Sequence, residues 1–330
     1  MDLRLYDPFQ SMTFSQHACF LCGTIVTDDE QITVFPEWVQ KRYGLAPKNL
    51  MLLDQSTVTF GEMKIPCCPA CQKTVGDMDE KVQHAAENGL NGLEQLEEKE
   101  LFLWLARIFY GILVTELKSE RAPLIKPEHS VGENPKMLQK FQSFFMLLQA
   151  LRVPVEFDDF TPCSIFIVPL KKEENQPAFN YRDDITTMMF SIQLDEVLIV
   201  CNLLDNGFLR KALTPVWREM EEQELYPIQA AEFSARVYYA AYLFNLIPDY
   251  FVRKTKPGDT HLIYDTLVDD ITASIFNPWE NDTYATALEK FWYPWQISRQ
   301  QILQNPEMPL SFLLDAEGKF RKLETWEIPA

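Results

Sequence analysis

Two cysteine pairs carry the clearest chemistry in this chain: Cys19-Phe-Leu-Cys22 and Cys68-Pro-Ala-Cys71. Thiolates two residues apart clasp one tetrahedral cation from a tight knuckle, and two such knuckles complete a Cys₄ zinc site. Four thiolates leave no open coordination position, so the expected role of Zn²⁺ is structural, with Cys19, Cys22, Cys68 and Cys71 as ligands. Cys67 precedes Cys68, and by spacing alone either residue serves the second knuckle. The other two cysteines, Cys163 and Cys201, sit in apolar runs and read as inert buried thiols. Other chemistry is sparse. There is no GxGxxG, GxxxxGK[ST], GxSxG or HExxH, and the four histidines are dispersed. Asp265, Asp269 and Asp270 would share a helix face and, with Asp259, offer carboxylates to a hard cation, although a wet helix face explains them more simply.

The elements expected to position these residues follow from periodicity. Residues 1–85 read as a turn-rich, cysteine-bearing module with little periodic helix, and residues 86–330 as a mainly helical body. Apolar residues from Leu90 to Leu117 recur at spacings of three and four, which predicts one long amphipathic helix. Within it, the run Leu101–Val114 is too short to span a bilayer and contains Arg107, so a buried helix is expected. A second helix should run from Pro135 to Leu151 and stop before Pro154. Strands are expected at Cys163–Leu170, Thr187–Leu194 and Glu196–Leu204, forming a small antiparallel sheet closed by an Asp205-Asn206-Gly207 turn. Helices follow at 208–224, 228–246, 261–276 and 283–304, the last perturbed at Pro294, and a terminal hairpin follows them. The fold class is α+β.

The balance of 30 Lys+Arg against 48 Asp+Glu gives a net charge of −18, which disfavours a nucleic-acid partner. Residues 1–100 alone hold 8 Lys+Arg and 16 Asp+Glu. Lys41-Arg42 with Lys48, Lys171-Lys172, Arg253-Lys254 with Lys256, and Lys319 with Arg321-Lys322 are the basic clusters, each reading as a solvated loop. The first ten residues contain no apolar run, and no membrane segment is expected, so the cytoplasm is the expected compartment.

The run Cys19-x-x-Cys22-Gly23, Val34-Phe35-Pro36-Glu37-Trp38-Val39, Cys68-x-x-Cys71 and Glu80 resembles bacterial zinc-ribbon HNH-type proteins, whose pattern reads roughly CxxCG, EHVFPxWL, CxxCN and a closing Glu. The motif likeness covers about residues 15–85. It implies a treble-clef or zinc-ribbon module and, in active relatives, a His base, an Asn that orients it and a divalent cation. In this chain Thr33 stands at the His position, Ile32 at the preceding acid and Gln72 at the Asn. Of the catalytic set only Glu80 remains, beside Asp77 and Asp79; His17 and His84 are the nearby imidazoles and hold no family position.

Three readings follow. The first is a zinc-binding pseudo-nuclease that acts as a scaffold for a protein partner, a basic one given the charge. The second is an active metal-dependent nuclease with a rearranged site at Glu80, Asp77 or His84 and a second divalent cation there. The third is a ligand-binding or enzymatic site in the body beyond residue 120.

Overall fold

The structure, a computed structural model, describes residues 3–9, 17–118, 134–173, 176–253, 256, 258–267, 274–324 and 327. In chain order, β1 (Gln31–Thr33) leads into α1 (Glu37–Tyr43), the strands β2 (Asn49–Met51) and β3 (Thr57–Thr59), and β4 (Lys64–Pro66). Three helices follow: α2 (Pro69–Glu87), α3 (Gly89–Glu94) and α4 (Glu98–Lys118). Next come α5 (Pro135–Leu148), a 3-10 turn at Gln149–Leu151 and β5 (Val155–Phe157). The strands β6 (Ser164–Pro169), β7 (Phe179–Asp184), β8 (Met189–Leu194) and β9 (Val197–Asn202) precede α6 (Phe208–Met220) and α7 (Pro227–Leu243). The chain continues through β10 (Asp249–Val252), β11 (Leu262–Leu267), α8 (Asn281–Phe291), a 3-10 turn at Tyr293–Trp295 and α9 (Arg299–Ile302). The class is α+β, as the residue patterns imply.

Two compact units divide the chain: 1–162 with 247–268, and 163–246 with 269–330. The cysteine module expected over 1–85 shares the first unit with α4, α5 and the β10-β11-β5 sheet.

In the first unit α4 is the central element. Every residue from Leu101 to Val114 is buried, Arg107 included, because a helix this apolar has no face to give to water. Each large side chain buried there contributes about 1.5–3 kcal/mol of hydrophobic stabilisation. Among the described residues no helix is long and apolar enough to cross a membrane. α5 packs on α4 through Phe109–Phe144 (ring centroids 5.6 Å, edge-on) and Tyr110–Phe145 (4.9 Å). The Asn134 side chain caps α5 by accepting from the Lys136 and Met137 amides, with Pro135 in the first turn. The single long helix expected from Leu90 is two helices, α3 and α4. The break falls at residues 95–97, between Glu94 and Glu98, while the left-handed Gly89 (φ 62°) separates α2 from α3 and Gly92 makes a tight crossing with α2. A β-carbon on Gly92 would lie 2.1 Å from the Ala85 carbonyl oxygen of α2.

Two further expectations need correction here. The 1–85 segment is not poor in helix: α2 spans 19 residues. Its buried positions Cys71, Val75, Val82, Ala85 and Ala86 form a stripe too narrow and too small to stand out among eight charged and amide side chains. Within the stretch 261–276, expected as a helix, residues 262–267 form β11 instead, antiparallel to β10 and parallel to β5. Leu262 and Tyr264 point inward at strand spacing, and a period of two outcompetes the helical one. Asp265 therefore lies on a strand, paired with Arg253 (2.9 Å), while Asp259 accepts the Lys256 amide; Asp269 and Asp270 lie outside the described residues.

The second unit is built on an all-antiparallel sheet in the order β6-β9-β8-β7. Its three expected strands are present, and β7 adds a fourth. Phe166, Val168, Met189 and Val200 meet Leu209 and Leu213 of α6 and Phe233 and Val237 of α7. On the other side of α7, Ile228, Tyr239 and Leu243 pack with Tyr284 and Leu288 of α8, with Trp292 and with Phe312. Two buried carboxylates tie the unit together. Asp205 accepts from the Ser164 hydroxyl (2.6 Å) and the Leu209 amide (2.7 Å) at the start of α6, and burial pushes its pKa up to about 7. Glu232 of α7 accepts from Arg236 (2.8 Å), the Ser311 hydroxyl (2.7 Å) and the Phe312 and Leu313 amides (2.7 and 2.9 Å). Among the described residues the expected terminal hairpin reduces to one bridge, Leu314 with Phe320, around a turn whose amides bond the Asp315 carboxylate.

Candidate metal centre

The first knuckle is a turn closed by the Gly23 amide donating to the Cys19 carbonyl (2.9 Å) and the Cys19 amide donating to the Thr24 carbonyl (2.8 Å). Gly23 has φ +74°, and a β-carbon there would stand 2.5 Å from the Tyr6 ring, so only glycine fits. Gln149, fully buried, props the knuckle by donating to the Leu21 carbonyl (3.0 Å). Phe20 extends the contact by packing on Tyr110 of α4 at 5.9 Å.

Strand pairing brings the second knuckle alongside. β1 pairs antiparallel with β4 through Gln31–Pro66, Ile32–Ile65 and Thr33–Lys64, and the Phe20 amide donates to the Pro66 carbonyl (2.8 Å). This register sets the chain beyond Pro66 against the first turn, bridging the 45-residue interval in sequence. Cys68 is then the cap of α2 and Cys71 lies in its first turn, where the positive end of the helix macrodipole favours thiolates.

The sulfurs of Cys19, Cys22, Cys68 and Cys71 all lie within 4.8 Å of one another, with Cys22 and Cys68 at 3.6 Å. A tetrahedron with Zn–S bonds of about 2.3 Å has sulfur–sulfur edges of roughly 3.8 Å, so the donor set fits one such cation. Among the described residues this is the one group of three or more Cys, His, Asp or Glu with metal-holding geometry. Cys68 rather than Cys67 belongs to it; the buried Cys67 thiol lies beside the cluster, against the Cys68 carbonyl (3.8 Å) and Cys19. Cys19, Cys68 and Cys71 are buried, and Cys22 is partly open. Crowding splits the thiols electronically. Hydrogen bonds from Cys67 and Cys71 hold the Cys19 thiol far below its ordinary value. The hydrogen bond that Cys71 gives Cys19 in turn lifts the Cys71 thiol, with burial adding to it, and burial lifts Cys68. A divalent cation relieves that conflict, and soft thiolate donors suit zinc.

The positions carried over from the family resemblance are occupied by side chains committed to the scaffold. The Thr33 hydroxyl donates to the Phe35 carbonyl (2.7 Å), and the Gln72 amide donates to the Cys67 carbonyl (2.7 Å). Glu80 is exposed on α2, and Asp77 pairs with Lys73. His17 and His84 are exposed beside Asp28 and Glu87. Asp79 turns inward: both its oxygens accept from the Arg107 guanidinium (2.8 and 2.9 Å), and Oδ1 also accepts from Trp104 Nε1 (3.1 Å). Arg107, 2% exposed, also donates to the carbonyls of Thr33 (3.1 Å) and Val34 (2.8 Å). In the sequence Arg107 stands out only as a charge in an apolar run. That misfit was the available signal, because a charge inside such a helix needs a buried partner. The same helix approaches Val34 so closely at Gly111 that a β-carbon there would lie 2.8 Å from the valine methyls.

Basic residues elsewhere are largely engaged. Lys172 pairs with Glu196 (3.0 Å), Arg253 with Asp158 and Asp265, Lys319 with Glu219 (2.7 Å) and Arg321 with Glu327 (2.9 Å). Lys171 lies over the Tyr226 ring (3.9 Å), and Lys48 donates to the Tyr43 carbonyl. In the second unit an open depression of about 430 Å³ is lined by Gln301, Met308, Leu310, Asp315 and Arg321. Its two charged groups are already committed, Arg321 to the Ser311 carbonyl and Glu327, and Asp315 to the Glu317 and Lys319 amides. Compared with family models, curated proteins and solved structures, the chain gives no match.

Proposed function

We propose that the first unit holds one structural Zn²⁺ on Cys19, Cys22, Cys68 and Cys71, and that it is a degenerate HNH-like module serving as a protein-interaction scaffold without phosphodiester hydrolysis. The observation that carries this reading is the use of Thr33 and Gln72 as backbone clamps beside an intact four-thiol set. A threonine hydroxyl has no pKa near neutrality and cannot serve as general base. Glu80 alone would leave a divalent cation with one carboxylate, and Asp79 is held by Arg107. The engaged lysines and arginines support a protein partner over a phosphate backbone, since nucleic-acid binding needs several free cations on one face.

Two measurements test the reading. Elemental analysis should return one zinc per chain, and Cys71→Ser should lower that value and destabilise the first unit; a metal-free, fully stable chain would overturn the metal assignment. Incubation of the full chain with DNA and RNA in Mg²⁺ or Mn²⁺ should leave both intact. Cleavage that disappears in Glu80→Ala would establish the rearranged nuclease instead.

A further inference from the structure

The second unit exposes two large aromatic residues that touch the same ring. Tyr242, near the end of α7, is 64% exposed, and Trp279, just before α8, is 40% exposed. Both lie against Tyr239: Tyr242 stacks on it (6.1 Å, 16° between planes), and Trp279 meets it edge-on (4.6 Å, 86°). Trp279 also packs on the buried ring of Tyr284 (4.9 Å). The Tyr239 hydroxyl pins the segment beside them, donating to the Glu280 carbonyl (3.1 Å) and accepting from the Glu280 amide (3.2 Å). The patch is thus a pre-formed surface, and a partner would bear little ordering cost on this side.

The nearby cations, Arg299 and Arg236, are paired with Asp282 and Glu232, and the charge left over is negative. Glu280 follows Trp279 directly and is exposed. Asn281 donates to the carbonyls of Pro306 and Glu307, which brings the exposed Glu307 to the same end of α8. Asp282 is paired with Arg299, but neither Glu280 nor Glu307 has a cationic partner among the described residues. Exposed indole and phenol faces attract cations through their quadrupole, and adjacent carboxylates supply the counter-charge. Aromatic residues are also the side chains that most often anchor a protein interface.

We propose that Tyr242, Trp279, Glu280 and Glu307 form a docking surface for an arginine- or lysine-bearing segment of a partner protein. A guanidinium stacked on Trp279 would reach the Glu280 carboxylate, and the next basic residue would reach Glu307. This surface belongs to the second unit and does not depend on zinc in the first.

Isothermal titration of the full chain with a (Gly-Arg)₆ peptide tests the proposal at two salt concentrations. Binding should weaken with salt and fall about tenfold in Trp279→Ala, the loss of one cation–π contact of roughly 1.4 kcal/mol. It should fall also in Tyr242→Ala, which removes one exposed ring, and in Glu280→Gln, which removes only the charge and leaves the packing intact, and Trp279→Phe should stay within about threefold of the parent. The control is Glu221→Gln with Glu222→Gln, at the end of α6. If the control weakens binding as much as the patch variants do, the attraction is only net charge and the proposal fails. It fails as well if the peptide does not bind, or if a neutral oligosaccharide binds in a Trp279-dependent way while the peptide does not.

Discussion

Replacing Arg107 by methionine is the sharpest test of how the first unit is held together. The guanidinium makes four hydrogen bonds, two to Asp79 and one each to the Thr33 and Val34 carbonyls, joining α4 to α2 and to the end of β1. Methionine fills most of the stem volume, so the cavity contribution is small. The cost comes from what is left behind: a carboxylate whose remaining donor here is Trp104, and two carbonyls without Arg107. Breaking a buried ion pair costs about 3–5 kcal/mol. The Asp79 side chain is 19% exposed and draws some relief from water, which places the expected loss near 3 kcal/mol. Burial already raises the Asp79 pKa despite Arg107, and the variant should raise it further. An acid whose pKa is higher folded than unfolded binds its proton more tightly in the folded state. The deficit should therefore be smallest below about pH 4, the unfolded carboxyl value, and should grow as pH rises through the folded value. Native-state hydrogen exchange of the full chain, read on α2 and α4, should show the slowest amides speeding by about two orders of magnitude at pH 7. Adding Asp79→Asn should restore most of the loss. A deficit under about 1 kcal/mol that does not change with pH, or no rescue by Asp79→Asn, would refute the reasoning.

Three further outcomes follow from the same structure. Gly111→Ala removes a poor helix former, yet it should destabilise the first unit by about 1–3 kcal/mol because its methyl meets Val34; thermal melting at or above the parent value would contradict that packing. Asp205 keeps its proton to about pH 7 when folded and ionises near pH 4 when unfolded, so its contribution is full below pH 4 and is lost as pH rises through 7. Between those values the second unit should lose up to about 1.4 kcal/mol per pH unit, and Asp205→Asn should flatten that slope; equal slopes in denaturant unfolding would count against it. Glu232→Gln leaves the half-buried Arg236 beside an uncharged amide and weakens the anchor for Ser311, Phe312 and Leu313. Limited proteolysis should cut the 303–324 segment sooner, with a stability loss of about 2–4 kcal/mol.

How far the sequence reached depended on how local each signal was. The four-thiol cluster was readable because both knuckles are written in four-residue strings whose chemistry depends on spacing alone. The choice of Cys68 over Cys67 was not, since it depends on where Pro69 starts α2 and which sulfur that start turns toward its partners. The central strands were legible from runs such as Ile165-Phe-Ile-Val, while β11 was misread because six residues with Asp265 among them match a helical spacing about as well. The partner of Arg107 was beyond reach for a different reason. Asp79 sits between Asp77 and Glu80, and nothing local separates the acid that turns inward from the two beside it.

The parallel pairing of β11 with β5 has a consequence for how the protein is made. The first unit is discontinuous, since residues 247–268 return to it after the chain has traversed 163–246. On the ribosome the cysteine knuckles and α2 emerge together and early, so the proposed zinc would be captured before most of translation. β5, by contrast, must wait for a strand synthesised about a hundred residues later, and its edge stays open to mispairing through that interval. A fragment ending near residue 162 would carry that open edge permanently, so expression of the first unit alone calls for grafting 247–268 onto it through a short linker.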